Sequence, residues 1–526
     1  MSITSFYYLG FVAVALVLYY AIRPKWQSRY LLLVSLLFYF LAGEGYTVIY
    51  LLVSTVSTYY AALAIHGIRT APGAGTVQGV RAVSGVFAVP DTQKERKAKR
   101  ILTAALVLNF GILAVVKYYG FVLWNVNAVC GWFGGEPVGT AVHIAASVGV
   151  SYYTLQLMGY LLDCYWKVGL VQTDLLDFAL FACYFPQMTS GPISRYKQVQ
   201  ADLYAEHSFE YAQVTHGLKR MAWGLFKKMV IADRLGLIVN SVYGNYGEYH
   251  LILVWGGIFC FALQLYTDFS GCMDIILGTS ECFGIALPEN FRNPFFSTTI
   301  QEFWQRWHIT LGTWLKDYIM DPVLKSGTWI KLGEKSRKKL GRKWGKRVPT
   351  YLGMLILWLA MGLWHGSGWK FIIGEGLWFW LVIITGNMCS KPLQKLTGKL
   401  HIHEKSVWWI TFQRLRTFFI FSIGLICFRA ADMGEVFAVL RAGVTHYSQR
   451  GFSQVKGDLG MVNLMMLCVA FVIFAAAELM QNRGKDIFTW ITERPAVVSW
   501  CVYMVICGMI LLSLSISGQS FIYAGF

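Results

Sequence analysis

The sequence predicts an all-α polytopic membrane protein, and three observations carry that prediction. Of 526 residues, 56% are hydrophobic and 14% are charged, whereas a water-soluble domain carries about 25% charged residues. The apolar residues gather in stretches near the roughly 20 residues that a helix needs to cross a bilayer. The net charge of +18 comes from lysines and arginines clustered between those stretches, the pattern that orients membrane proteins. A water-soluble enzyme is excluded, and the positive charge is read as topology, with the lipid bilayer as partner and no nucleic acid.

Taken in order, spans are expected at Phe6 to Ile22, Tyr46 to Ile65, Ile101 to Trp124, His143 to Leu162, Leu251 to Leu277, Thr350 to Trp364, Trp369 to Met388, Phe412 to Phe428, Met461 to Leu479 and Val497 to Ser515. Tyr30 to Leu41 and Leu175 to Pro186 are too short to cross straight, so they are expected tilted, re-entrant or packed inside the bundle. The expected total is roughly ten to twelve spans. The first is read as a retained anchor, because further apolar segments follow it and no small-residue cleavage site does.

Between the spans, three basic blocks are expected in cytoplasmic loops: Lys94 to Arg100, Lys335 to Arg347, and Lys391 to Lys405. Thr70 to Val89, rich in Gly, Ala and Val, reads as a flexible loop. Lys219, Lys227, Lys228, Asp233 and Arg234 alternate with apolar residues, which predicts an interfacial amphipathic helix whose lysines snorkel to headgroups. Eleven cysteines contain no C-x-x-C pair, and no phosphate loop, H-E-x-x-H or G-x-S-x-G is present, so no metal site, disulfide framework or nucleotide site is expected.

An ionisable group at membrane depth is a functional candidate by default. In QEFWQRWHITLGTWLKDYIMDP, the residues Trp304, Trp307, His308, Leu311 and Trp314 fall at helical spacing, which puts the imidazole of His308 on an aromatic stripe, with Arg306 off it. In PTYLGMLILWLAMGLWHGSGWKF, a helix starting after Pro349 is expected to stop at His365, beside Trp364, where Gly366-Ser367-Gly368 interrupts it. A buried neutral imidazole can act as general base for a hydroxyl. Either histidine alone is as readily a satisfied core residue; two of them in Trp-flanked, Gly-interrupted segments favour function. Asp268, Ser270 and Asp274 lie in another apolar run and are expected to line a cavity or to pair within the bundle, shaping the site. The stretch ALPENFRNPFFS, with Asn290 between Pro288 and Pro294, is expected as irregular backbone buried in protein or lining a wet passage.

These motifs resemble the membrane-bound O-acyltransferase family, in its bacterial branch of alginate O-acetyltransferases and teichoic-acid D-alanyl transfer proteins. The resemblance rests on VGVSYYTLQLMGYLLDCYWK, YFPQMTSGPISRY, GLFKKMVIADRL, YTDFSGCMDIILG, LPENFRNPFFSTTIQEFWQRWHITLGTWLKDYI and LWHG, from about Lys117 to Gly368. Cys272, Met273, Gln305 and the terminal FIYAGF depart from the family pattern. The resemblance implies a ring of helices around a thin centre, with re-entrant segments and a central funnel and tunnel. His365 would be catalytic and His308 the second functional position, with Trp304, Arg306, Trp307, Trp364, Asp268, Ser270 and Asn290 binding substrate or lining the tunnel.

On that reading the chain is one membrane-embedded acyltransferase domain: N-terminal spans over 1–66, a basic cytoplasmic loop over 67–100, a catalytic core over 101–388 and further spans over 389–526. It implies transfer of an acyl group, expected to be acetyl, from a cytoplasmic thioester to a hydroxyl of an exported or cell-surface polysaccharide. The donor is either acetyl-CoA or an acyl-carrier protein, and no cofactor is bound permanently. An extracytoplasmic transferase partner and the bacterial cytoplasmic membrane are likewise implied. D-alanyl transfer to teichoic acid by the same mechanism stays open, as does a proton-coupled transporter or flippase using Asp268, Asp274, His308 and His365 as a relay, or an inactive scaffold.

Overall fold

The computed structural model describes residues 2–43, 45–70, 93–140, 144, 149–448 and 451–514. Among the described residues the regular structure is helical apart from one isolated antiparallel bridge between Phe291 and Trp307. Helices are the outcome that hydrocarbon demands, because each satisfies its own backbone polar groups. Among the described residues eight helices are long and apolar enough to cross a membrane: Gly45–Thr70, Gln93–Trp132, Leu251–Cys282, Gly327–His365, Trp369–Lys399, Val407–Arg429, Met461–Asn482 and Ala496–Ser513. Phe6–Ala21 is apolar but shorter. Val462, Val469 and Val472 stay exposed along Met461–Asn482, as expected of a lipid-facing side. The protein is a multi-pass membrane protein.

The described chain divides into two compact units, the first made of residues 5–209 and 283–287, the second chiefly of 210–282 and 288–526. In the first, Gln27–Ala42, Val48–Thr70, Gln93–Trp132 and Val150–Trp166 are the long elements. The stretch expected over Leu175 to Pro186 is two short helices, Leu175–Cys183 and Phe185–Met188, with Leu180, Phe181 and Phe185 buried. Pro186 forces the break by withholding an amide hydrogen. Asp174 caps the first of them through the amides of Leu176 and Asp177, and Arg29 pairs with both Asp174 and Asp177. The span expected from His143 begins at Val150; residues 141–143 and 145–148 lie outside the described residues, as does nearly all of the loop expected over Thr70 to Val89.

In the second unit the expected interfacial helix is replaced by a rod buried through its middle: Tyr211–Leu225, the π-helical turn Phe226–Ala232 and Asp233–Asn245. It runs antiparallel to Leu251–Cys282. A Cβ on Gly217 would lie 2.6 Å from the Gly278 carbonyl, and one on Gly224 would lie 2.5 Å from that of Gly271. This small-residue seam lets the backbones touch. Lys227, Lys228, Asp233 and Arg234 are all buried. Their charges turn inward because partners wait there: Lys228 Nζ lies 2.7 Å from Asp233 and 2.8 Å from Asp268, and Lys227 Nζ lies 2.6 Å from Asp274.

The basic block Lys335 to Arg347 is likewise not a loop. It belongs to Gly327–His365, which reverses at Gly341 (φ +78°), a left-handed position that favours glycine. The two arms close on each other, with Trp329 Nε1 donating to the Pro349 carbonyl at 3.0 Å. Pro349 lies inside the second arm, so that helix starts before the proline and not after it.

Candidate active site

The second arm of Gly327–His365 ends on His365 because Gly366 takes extended backbone (φ −178°). A Cβ at Gly366 would sit 2.1 Å from the Phe371 ring, so only glycine lets the chain turn back this tightly. His365 is therefore fixed at the end of an apolar helix, 1% exposed. Its Nδ1 lies 3.0 Å from the Met361 carbonyl and 2.8 Å from Glu375 Oε2. A backbone carbonyl can only accept, so Nδ1 carries the proton and the lone pair of the neutral ring is on Nε2.

His308 was expected on one continuous helix, and the structure corrects this. Ile300–Arg306 and Ile309–Leu315 are separate helices; Trp307 between them is extended and His308 is left-handed (φ +46°, ψ +51°). The cause is the irregular stretch after Pro288, which borrows hydrogen bonds from the break: the Arg292 amide donates to the Arg306 carbonyl at 2.9 Å and the Ile309 amide to the Asn290 carbonyl at 3.0 Å. Buried backbone without regular structure has to be satisfied in this way. A non-glycine residue at positive φ stores strain that the surroundings must hold, and such positions gather at functional sites.

Asn290 orients the second imidazole. Its Oδ1 lies 3.1 Å from the Thr310 amide, 2.9 Å from Thr310 Oγ1 and 3.2 Å from His308 Nδ1. The backbone amide can only donate, which fixes the side-chain oxygen as the acceptor and makes His308, like His365, an Nδ1–H tautomer. The two ring centroids are 6.4 Å apart. Trp364 packs edge-on against both rings, Phe269 against His308 and Phe428 against His365. The helix break and the helix end thus bring two imidazoles from distant sequence into one cluster of packed aromatic rings.

A cavity of about 370 Å³ in the same unit reaches Asn290 and Met273, and its other walls include Ser270, Arg220, Lys227 and Asp486. Asp486 lies beyond the end of Met461–Asn482; burial works against its charge, but hydrogen bonds from the hydroxyl and amide of Thr489 hold its carboxyl below the usual range. Of the residues expected to bind substrate or line a tunnel, Ser270 and Asn290 face this cavity. The others do not. Asp268 is closed in its ion pair with Lys228, and Arg306 is held by Glu302 at 2.7 Å. Trp304 packs on Trp358 and Phe379, and Trp307 stacks on Phe303. Neither histidine lines this cavity, and both are 1% exposed; Asn290 separates it from His308.

The sequence reading missed Glu375. It is 0% exposed, lies inside the apolar run Trp369–Lys399 and follows His365 by ten residues. The signal was present, since an acid in an apolar span meets the same test that singled out the histidines. Glu478 was missed in the same way: it accepts from Tyr266 at 2.9 Å and from Asn293 at 3.0 Å beside the cavity.

Residues 167–333 match the membrane-bound O-acyltransferase (MBOAT) family. Among similar proteins, the probable alginate O-acetylase AlgI of Pseudomonas syringae pv. tomato is 28% identical over 90% of this chain and 82% of its own length. The peptidoglycan O-acetyltransferase of Helicobacter pylori is 28% identical over 94% of this chain and 92% of its own. The probable alginate O-acetylase AlgI of Pseudomonas fluorescens is 30% identical over 72% and 68%.

Proposed function

The chain belongs to the membrane-bound O-acyltransferase family and is an O-acyltransferase, and from that premise we propose that it moves an acetyl group from a cytoplasmic thioester to a hydroxyl of an exported or cell-surface polysaccharide. The relatives named for O-acetylation of alginate and of peptidoglycan support the acetyl group and a glycan acceptor. The basic arms around Gly341 would face a bacterial cytoplasm, by the rule that lysine and arginine stay on that side. Either coenzyme A or a carrier protein would present the thioester there, and a transferase on the outer side would complete delivery.

The observation that carries the mechanism is the pair of buried imidazoles, each with its proton held on Nδ1 by an oxygen acceptor. Nε2 of His365 takes the proton of the acceptor hydroxyl as its oxygen attacks the thioester carbonyl. The tetrahedral intermediate then expels the thiolate, which leaves as a thiol with the proton from the imidazolium. His308, also an Nδ1–H tautomer, accepts at Nε2 and so positions an N–H or O–H group of a substrate; it donates to a developing oxyanion only when protonated. Both rings are 1% exposed, so this mechanism requires the aromatic packing around Trp364 and Phe428 to open for substrate.

The test is turnover by the full-length protein in liposomes, with acetyl-CoA or an acetylated carrier protein and a glycan acceptor, read by thiol release and by the mass of the glycan. His365→Ala is expected to lower transfer by about 10²- to 10⁴-fold, the usual contribution of a positioned base, with the protein still folded. Transfer at the wild-type rate without this imidazole would sink the mechanism. Solute uptake driven by a pH gradient, without thioester turnover, would favour the transporter.

A further inference from the structure

A carboxylate buried at membrane depth is normally neutralised by a permanent cation, as Asp268 is by Lys228 and Asp274 by Lys227. Glu375 is different. Among the described residues no lysine or arginine lies within ion-pair distance of it, and its ion-pair contact is Nδ1 of His365 at 2.8 Å, with the two side chains 0% and 1% exposed. We propose that Glu375 is the positioning residue for this reaction: with the Met361 carbonyl holding the Nδ1–H tautomer, the Glu375 carboxylate 2.8 Å from Nδ1 steadies the ring and offsets its positive charge while it carries the proton of the acceptor hydroxyl.

The local fold is built to deliver this carboxylate. Glu375 sits in the π-helical turn Ile372–Leu377, between Gly374 and Gly376. A Cβ on Gly374 would lie 1.8 Å from Cys427 Sγ, and one on Gly376 would lie 3.0 Å from the Trp358 carbonyl. The turn is pressed between Val407–Arg429 on one side and the helix that ends in His365 on the other, closer than any side chain would permit. The wide turn inserts a residue into the helical phase, a device frequent at functional sites, and it sets the acid inward beside Met361 and His365. Two oxygens then lie beside Nδ1: the Met361 carbonyl accepts its hydrogen and fixes the ring plane, and the Glu375 carboxylate, 2.8 Å from the same nitrogen, supplies the charge.

The reaction makes a charge beside the ring necessary. When Nε2 takes the hydroxyl proton, an imidazolium forms among the packed rings of Trp364 and Phe428, and a neutral carbonyl alone compensates such a charge weakly. A carboxylate at 2.8 Å compensates it more strongly and does no proton transfer itself, which is the part that the acid plays in a Ser-His-Asp triad. The other titratable or charged groups near the pair are His308, 6.4 Å away between ring centroids, Cys427 against Gly374, and Lys370, whose ammonium is turned to the Ala430 carbonyl at 2.5 Å.

This proposal rests on His365 being the base, so the two are tested side by side in the full-length protein in liposomes. Glu375→Gln keeps the shape and removes the charge. It is expected to lower kcat by about 10²- to 10⁴-fold, the range for loss of a triad acid or of a positioned base, with KM within about threefold. The acidic limb of the pH–rate profile should move to lower pH, because an imidazole without its anion protonates less readily. Glu375→Asp, which keeps the charge, should recover part of the rate and return the limb toward its original position, and it decides the matter should the glutamine variant not fold. Wild-type kcat and an unmoved limb in folded Glu375→Gln, or an equal loss in both variants with an unmoved limb, would overturn the proposal. If His365→Ala alone abolishes turnover, the reading of His365 stands whatever Glu375 does; if His365→Ala turns over normally, that reading falls.

Discussion

Along the rod Tyr211–Asn245 and its neighbour Leu251–Cys282, buried acids and bases close on each other: Lys228 with Asp233 and Asp268, and Lys227 and Arg220 with Asp274. Around His308 and His365, in the same unit, the buried titratable rings meet an amide oxygen, a backbone carbonyl and one carboxylate. The first region matches ammonium and guanidinium groups to carboxylates, so opposite charges tie one helix to its neighbour. The second keeps groups whose ordinary pKa lies near 6.5, with partners that fix the tautomer without fixing the charge. Burial of charge is thus used for cohesion in one place and for chemistry in the other, and what separates them is the kind of partner, not the depth.

That contrast can be broken by exchanging the expected outcomes. His365→Ala should cost turnover and leave the fold, whereas Lys228→Met should do the reverse. Removing one partner of a buried ion pair costs about 3–5 kcal/mol, and here two carboxylates lose their cation, so thermal unfolding in detergent should show a large fall in stability. The rate per folded molecule should stay near wild type. A Lys228→Met protein as stable as wild type but catalytically dead would place this pair in the chemistry and end the distinction.

A smaller effect sharpens the boundary between the regions. Gly374→Ala would drive a methyl group into Cys427, and such overpacking costs roughly 1–3 kcal/mol. The displaced turn should also misplace Glu375 and reduce kcat about tenfold, which corresponds to about 1.4 kcal/mol of activation free energy. Cys427→Ala in the same chain should restore much of the loss by vacating the space. If the double variant is no better than the single one, the close approach does not position the site.

The smallest effect belongs to charge outside the spans. Hydrogen bonds from the Asp177 and Leu176 amides, opposed in part by burial, and then the Arg29 guanidinium hold Asp174 below the usual carboxylate range. A folded-state value below the unfolded one near 3.9 means that its stabilisation is fully present above that pH and is lost as pH falls through the folded value. Asp174→Ala removes a helix cap worth about 1 kcal/mol and a pair with Arg29 that is half in water, worth at most about as much again. Unfolding temperatures at pH 7 should fall slightly, and the gap to wild type should close on acidification. A gap that is constant down to pH 2 would show that the charge contributes nothing.

The sequence by itself determined an all-α, multi-pass membrane fold, because lipid imposes a length and a composition that no distant contact can alter. It also determined the irregular stretch between Pro288 and Pro294 and the stop at His365, since proline withholds an amide and glycine frees the backbone wherever they occur. Only the tertiary structure decided which way the lysines of the rod face: an amphipathic pattern looks the same whether its charged side meets headgroups or the carboxylates of another helix. Only it could put His308 in a left-handed break, because the hydrogen bonds that hold that conformation come from Asn290 and Arg292, before the helix begins. Glu375 was visible as an acid in an apolar run, but its partner was not, because contact with His365 depends on a π-helical turn pressed between two other helices. Local chemistry is written along the chain, whereas the partner that gives a buried charge its role comes from another part of it.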